Sequence, residues 1–194
     1  YGATKLCAEK LFVSANNMVG EKNTSFSCVR YGNVIGSRGS VIPIFVKQIK
    51  QKYFTITDTR MTRFVLTLDE GVELVLWTLL NAIGSEIVIP KIPSVTITDI
   101  ASAIEPSLKI KKIGIRLGEK LHEDLITEAE SSNTIGIQNK FILLPSIEKK
   151  YLNHYKKFSK KIKVLNKFSY SSNTNSQFLN IQQIRRLLKQ EKFI

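Results

Sequence analysis

The chain has 194 residues, 43% hydrophobic and 23% charged, which suits a domain with a real core and excludes a disordered or fibrous class. Its net charge of +13 is unevenly placed: residues 1–150 hold 19 Lys/Arg against 15 Asp/Glu, and residues 151–194 hold 10 against 1. No run approaches the roughly 18 apolar residues needed to cross a bilayer, and two cysteines do not make a disulfide framework.

In chain order, residues 2–18 place Leu6, Cys7, Leu11 and Phe12 at helical spacing, with Gly20 as a stop. SFSCVRYGNV (25–34) reads as a buried strand and GSRGS (36–40) as a loop. VIPIFVKQIKQK (41–52) predicts a helix with Pro43 in its first turn. A polar connector (56–63) and a short strand, FVLT (64–67), lead into a helix over 68–83, opened by a Thr67–Glu70 capping box. EIVIPK (86–91) is a strand, TDIASAIE (98–105) a helix capped by Thr98, and KKIGIR (111–116) a strand. GEKLHEDLI (118–126) begins another helix, and KFILLP (140–145) is the last short strand. Residues 146–178 are polar and poorly periodic. Asn180 then caps an amphipathic helix with Ile181, Ile184, Leu187 and Leu188 on one side. Alternating strands and helices imply an α/β fold with a mainly parallel sheet.

Cys7 and Cys28 read as reduced, buried thiols, and His122 as a helix-face histidine without a partner. Neither histidine has neighbours at metal-ligand spacing, so no metal is expected. The basic tail is either a solvated face or a surface for nucleic acid or anionic membrane; it lacks the interleaved aromatics of a stacking platform, so no nucleic acid is expected. The opening YGATKLCAEK has no basic start followed by an apolar core, so it does not read as a signal peptide, and position 1 does not read as a natural start. The cytoplasm is the expected compartment.

Tyr1 and Lys5 are four residues apart, on one helix face. An ammonium beside a phenol favours the phenolate, so the pair could act as an acid/base near neutral pH. On its own, Y-x-x-x-K is equally a surface helical pair. Three further segments follow in order: Arg30-Tyr31-Gly32-Asn33-Val34, then Arg63-Phe64-Val65-Leu66-Thr67-Leu68-Asp69, then Arg116-Leu117-Gly118-Glu119-Lys120-Leu121-His122-Glu123. Together they resemble the extended short-chain dehydrogenase/reductases: a catalytic Y-x-x-x-K, an R-Y-x-N segment, R-x-x-x-x-x-D and R-P-G-E-K-L-H-E. YGATKLCAEKLFVSANN, VRYGNVIGSRGSVIP, TDTRMTRF, IPKIPS and FSYSSNTNSQFLNIQQIRRLL resemble most closely the inverting UDP-N-acetylglucosamine 4,6-dehydratases of the pseudaminic acid type.

The resemblance implies roles for individual residues. Tyr1 would take the proton of the sugar 4-hydroxyl, Lys5 would hold the nicotinamide ribose of NADP, and Tyr31 would lie near the nicotinamide. Asn33 would contact the sugar diphosphate, Arg63 and Arg116 would neutralise its phosphates, Glu119 would accept from the uridine ribose, and Val41 would line the base. The partner is a UDP-sugar, and the complete enzyme is expected to be a homo-oligomer.

The chain departs from the family in lacking a G-x-x-G-x-x-G turn to cradle a dinucleotide pyrophosphate and the upstream Asp-Lys pair, and in having Leu117 where the motif has Pro. The expected organisation is therefore the C-terminal part of a Rossmann-like parallel sheet plus a smaller substrate-binding α/β subdomain. Residues 1–36 are the end of the cofactor domain, 37–145 are interleaved Rossmann and UDP-sugar segments, and 146–194 are a basic tail with a terminal helix. By itself this chain is expected to be catalytically inactive. Alternatives are a non-catalytic remnant that at most binds UDP, or a UDP-sugar 4-epimerase relative.

Overall fold

A computed structural model describes residues 2–20, 22–159 and 162–194. In chain order its elements are α1 (Gly2–Ala15), β1 (Cys28–Val29), β2 (Asn33–Val34), α2 (Val41–Gln48), β3 (Tyr53–Ile56), β4 (Thr62–Leu66), α3 (Leu68–Asn81), β5 (Ile87–Pro90), β6 (Ser94–Thr96), α4 (Ile97–Ile104), β7 (Lys109–Lys112), β8 (Asp124–Ile126), α5 (Glu128–Ser131), β9 (Thr134–Ile137), β10 (Lys140–Leu143), α6 (Lys149–Tyr155), β11 (Lys163–Val164), β12 (Tyr170–Ser171) and α7 (Ile181–Gln190). They form two compact units: residues 1–31, 72–91 and 125–169, and residues 32–71, 92–124 and 170–194. The predicted strand over 25–34 is two short strands, because β1 pairs with β5 in the first unit and β2 with β4 in the second.

The first unit is built on a five-stranded sheet in the order β1-β5-β10-β9-β11. β1 and β5 are parallel; β10, β9 and β11 extend the sheet antiparallel. The register aligns Val29, Val88, Ile142 and Ile135 across four strands, and strand alternation puts them on one face. Leu74 and Trp77 of α3 and Tyr151 and Tyr155 of α6 pack over that face. The β9–β10 hairpin turns at Gln138, a left-handed residue at φ 39°, which the sequence hides because it lacks an Asn-Gly signal. Helix α6, in a segment read as aperiodic, is held by two buried tyrosines one turn apart. Tyr155 donates to Glu86, a fully buried carboxylate that also accepts from Ser27 Oγ and the Ile83 and Gly84 amides.

No residue of α1 is buried, so polar clamps do much of the work of holding it. Arg30, at the end of β1, donates bidentately to Glu9 of α1 (2.8 and 2.6 Å) and to Glu130 of α5 (3.0 and 2.9 Å). Burial works against the Arg30 charge, but the two carboxylates outweigh it and raise its pKa. Burial likewise opposes the Glu130 charge, and the hydrogen bonds from Arg30 and Thr127 still bring it down to about 2. The expectation of two buried thiols fails at Cys7, which is exposed because α1 buries nothing; Cys28 is half-buried.

The second unit pairs β2 with β4 in parallel, β4 with β6 antiparallel, and β3 with β7 in parallel. Phe45, Phe54, Ile56, Met61, Val95, Ile100, Ile184 and Leu188 form its core. Asn180 caps α7 and the Thr67–Glu70 box starts α3, as read from sequence; the structure adds Gln183, which completes a capping box with Asn180. The α4 cap is Thr96, whose hydroxyl accepts from the Asp99 amide at 3.0 Å; Thr98 instead bonds Thr96. β7 stops at Lys112 before Gly114, at φ 88°.

The predicted helix over 118–126 does not form. Gly118 takes φ 77°. The Lys120 and Leu121 carbonyls, which a helix would need, accept instead from Arg63 and the Thr62 amide. Among the described residues no helix is long and apolar enough to cross a membrane.

Candidate functional site

A cavity of about 270 Å³ opens in the second unit, just below the roughly 300–1,000 Å³ usual for small-molecule sites. Asn33, Val41, Arg63, Arg116 and Glu119 all line it. These are the residues that the sequence singles out for a substrate, and they come from β2, the start of α2, β4 and the loop after β7. Apolar walls come from Ile42, Ile44, Phe45, Met61, Ile97 and Ile113. Tyr31 and Lys5 belong to the first unit and do not line this cavity; Tyr1 lies outside the described residues.

The backbone before Asn33 runs against β4. A Cβ on Gly32 would stand 2.5 Å from Phe64 Cβ and 2.6 Å from the Phe64 carbonyl oxygen, so only glycine lets β2 lie there. The Asn33 side chain is left exposed at the cavity, with no hydrogen-bond partner among the described residues.

The two arginines differ. Arg116 is exposed, and its guanidinium has no protein partner among the described residues. Arg63 is only 14% exposed in its side chain, and its donors are occupied. Nη1 donates to the Thr62 and Leu121 carbonyls at 2.7 and 2.9 Å, Nη2 donates to the Lys120 carbonyl at 2.9 Å, and Nε lies 3.6 Å from Glu123. Arg63 thus ties the 120–123 loop to β4. Glu119, on that loop, accepts from Thr57 Oγ1 at 3.2 Å and from the Arg116 amide at 3.2 Å, which orients its carboxylate.

A second set of bonds holds the same loop. His122 Nδ1 is 2.8 Å from Thr62 Oγ1, which is 2.7 Å from Ser172 Oγ; the Glu123 amide donates to Ser172 Oγ at 2.9 Å. His122 therefore has a partner and is not on a helix, contrary to the sequence reading. Its partner is sixty positions away in the chain, which no local pattern reveals.

Sequence reasoning also passed over Ser40. Its hydroxyl is buried without a hydrogen-bond partner, it lines the cavity, and it precedes α2 without capping it. An unspent buried hydroxyl on a cavity wall is available to a ligand. The signal was the serine before the VIPIF helix, which local rules explain as an N-cap.

Among the described residues no cluster of three or more His, Cys, Asp or Glu could hold a metal ion. Comparison with known proteins places the chain. The family model for polysaccharide biosynthesis proteins matches residues 1–145. The chain belongs to that family. This polysaccharide biosynthesis protein is 50% identical over 192 residues to a UDP-N-acetylglucosamine 4,6-dehydratase (inverting) of Campylobacter jejuni, covering 95% of this chain and 57% of the relative. It is 36% identical to a UDP-glucose 4-epimerase of Rickettsia bellii, covering 96% of this chain and 56% of that one. The X-ray structure of Pen from Bacillus thuringiensis superposes with a TM-score of 0.86 at 34% identity, over 100% of this chain and 59% of that one. The chain spans about half the length of the curated relatives it matches. The α/β fold with parallel strand pairs is thus that of this group.

Proposed function

We propose that the second-unit cavity binds a UDP-sugar, and that the chain is the substrate-holding portion of an NADP-dependent UDP-N-acetylglucosamine 4,6-dehydratase that inverts C5. The product would be a 4-keto-6-deoxy nucleotide sugar for surface glycan or flagellin glycosylation. The observation that carries this reading is the convergence of Asn33, Val41, Arg63, Arg116 and Glu119 on one cavity. The name of the Campylobacter relative supports the reaction. A cytoplasmic homo-oligomer is the setting this reading implies.

The chemistry suits a nucleoside diphosphate. Its phosphates need cations with free N–H groups, and the Arg116 guanidinium supplies them in bidentate geometry. The N–H groups of Arg63 already serve carbonyls, so we assign it mainly to holding the loop that presents Glu119, with its charge still facing the cavity. The oriented Glu119 carboxylate is an acceptor for ribose hydroxyls, Asn33 and Ser40 offer polar contacts, and Val41 offers an apolar wall for the base. By the same reading, Tyr1 and Lys5 are the proposed acid/base pair: an ammonium one helical turn from a phenol would favour the phenolate, which would accept the 4-hydroxyl proton. The reaction also needs a hydride carrier. No glycine-rich strand-to-helix turn in these 194 residues cradles a dinucleotide pyrophosphate; Lys5 and Tyr31 are the residues proposed to meet the nicotinamide end.

Calorimetry of this chain with UDP and UDP-N-acetylglucosamine tests the binding step. UDP should bind, and Arg116→Ala should weaken it about 10- to 100-fold. A folded chain that ignores UDP refutes the reading. The 36% identity to a UDP-glucose 4-epimerase favours one second reading, epimerisation. Grafting this chain into the Campylobacter relative in place of the matching region separates the two: dehydration removes one water from the sugar, and epimerisation leaves its mass unchanged.

A further inference from the structure

Residues 170–175, YSSNTN, belong to a stretch that the sequence singles out, yet none of them lines the cavity. They are pinned within the second unit. The Tyr170 hydroxyl donates to the Ile92 carbonyl at 2.9 Å and accepts from the Ile92 amide at 2.8 Å, and its buried ring lies 4.5 Å from that of Phe64. Asn175 Nδ2 donates to the Ile92 carbonyl and to Ser94 Oγ, both at 3.0 Å. Ser172, between them in sequence, is fully buried.

What this pinned segment holds is the loop that carries Glu119. β4 opens with Thr62 and Arg63, and strand alternation sends their side chains to opposite faces. Arg63 lines the cavity, while Thr62 Oγ1 meets Ser172 Oγ at 2.7 Å and His122 Nδ1 at 2.8 Å. Ser172 also grips the next loop residue: its amide donates to the Glu123 carbonyl at 2.8 Å, and its hydroxyl accepts from the Glu123 amide at 2.9 Å. The hydroxyl protons suffice in either order. With Nδ1 of His122 unprotonated, Ser172 donates to Thr62 Oγ1 and Thr62 donates to Nδ1. With Nδ1 protonated, His122 donates to Thr62, Thr62 to Ser172, and Ser172 to the Thr62 carbonyl at 3.2 Å. His122 keeps its partner in both cases.

The lever from this chain of hydroxyls to the cavity is short. No helix forms over 118–123, so Glu119 takes its place from tethers rather than from its own secondary structure. Arg63 holds the Lys120 and Leu121 carbonyls from the cavity side, and the His122–Thr62–Ser172 chain fixes the loop from the other. His122 lies three residues past Glu119, at most about 11 Å of chain, and does not itself line the cavity. A shift at His122 is therefore passed on to the Glu119 carboxylate, whose side-chain donor is Thr57 Oγ1 at 3.2 Å. We propose that His122 and Ser172 are positioning residues for a ribose subsite: they brace the 119–123 loop against residues 170–175 and so keep Glu119 within reach of the ribose hydroxyls of a uridine nucleotide. The proposal rests on the reading of the cavity as a UDP-sugar site.

Calorimetry of this chain with UDP and with 2′,3′-dideoxyuridine diphosphate tests it, because only the first offers Glu119 the ribose hydroxyls. The chain should prefer UDP by about 10- to 100-fold. His122→Asn keeps a polar atom where Nδ1 stood and should keep that preference. His122→Gln carries its amide to the Nε2 position, away from Thr62, and His122→Ala carries none. Both should cut the preference about 10-fold, through weaker UDP binding alone, and Ser172→Ala should do the same. His122 is half-buried, and the Asn and Gln variants both keep an amide there, so their comparison survives if the alanine variants fail to fold. A role in stability alone would lower the melting temperature and leave the preference at its wild-type value in each folded variant, which overturns the proposal. Equal weakening of both nucleotides, or a loss of preference in His122→Asn as deep as in His122→Gln, also overturns it. A wild-type chain that binds both nucleotides equally overturns the ribose subsite and leaves UDP binding standing; one that binds neither refutes the reading of the cavity itself, and the proposal with it.

Discussion

Arg63 Nη1 donates to the Leu121 carbonyl at 2.9 Å, joining the strand that floors the cavity to the loop that carries Glu119. The bond is one of several from a largely buried guanidinium, so removing it strands carbonyl oxygens. Arg63→Ala should destabilise the protein by about 2–3 kcal/mol, measured by urea unfolding, and should weaken UDP binding as the loop loosens. Arg63→Lys should recover little of either, because a point charge cannot serve three carbonyls at fixed angles. Full recovery by lysine would mean that charge alone matters at this position.

Ser40 predicts a separation of stability from binding. Its hydroxyl is buried without a partner in the protein, so Ser40→Ala removes no protein hydrogen bond and should leave stability within about 0.5 kcal/mol or raise it slightly. UDP affinity should fall about 3- to 10-fold in calorimetry. A loss of stability with unchanged affinity would make Ser40 a structural residue.

Gly32→Ala should be among the most damaging single-methyl changes in the second unit. The added carbon meets Phe64 Cβ and backbone oxygen at 2.5 and 2.6 Å, and neither can swing away. Pushing β2 off β4 should cost about 1–3 kcal/mol, seen as a lower melting temperature. It should also weaken UDP binding through displacement of Asn33.

Glu130, paired with Arg30, sets an acid limb on stability. Glu130 has its pKa lowered from 4.5 to about 2 in the folded chain. Its contribution is therefore complete above about pH 4.5 and is lost as pH falls through about 2. Urea unfolding at a series of pH values should show stability falling over that window. Glu130→Gln should flatten this component while lowering stability at neutral pH. An unchanged acid limb in the variant would remove Glu130 as its cause.

What local sequence could reveal was what local physics controls. The Thr67–Glu70 box and the Asn180 cap act within one helical turn, so α3 and α7 were legible before any tertiary contact. The five cavity residues were legible only through motif order, since Asn33 and Glu119 are brought together by chain reversals that no window spans. The 118–126 segment has helical composition, but Gly118 turns left-handed and Arg63 and Thr62 take the carbonyls a helix would need. Likewise, His122 found Thr62 and Ser172, α6 was held by Tyr151 and Tyr155, and Cys7 stayed exposed because α1 buries nothing.

By itself, then, the sequence determined the α/β pattern, the starts of α3 and α7 and the residue types that meet at the cavity, because propensity and capping act over a few residues. The tertiary structure alone decided which arginine keeps free N–H groups and which hydroxyl is left unspent at the cavity. Those outcomes depend on which donors and acceptors from distant segments meet first, and hydrogen-bond satisfaction is settled only when the whole unit has closed.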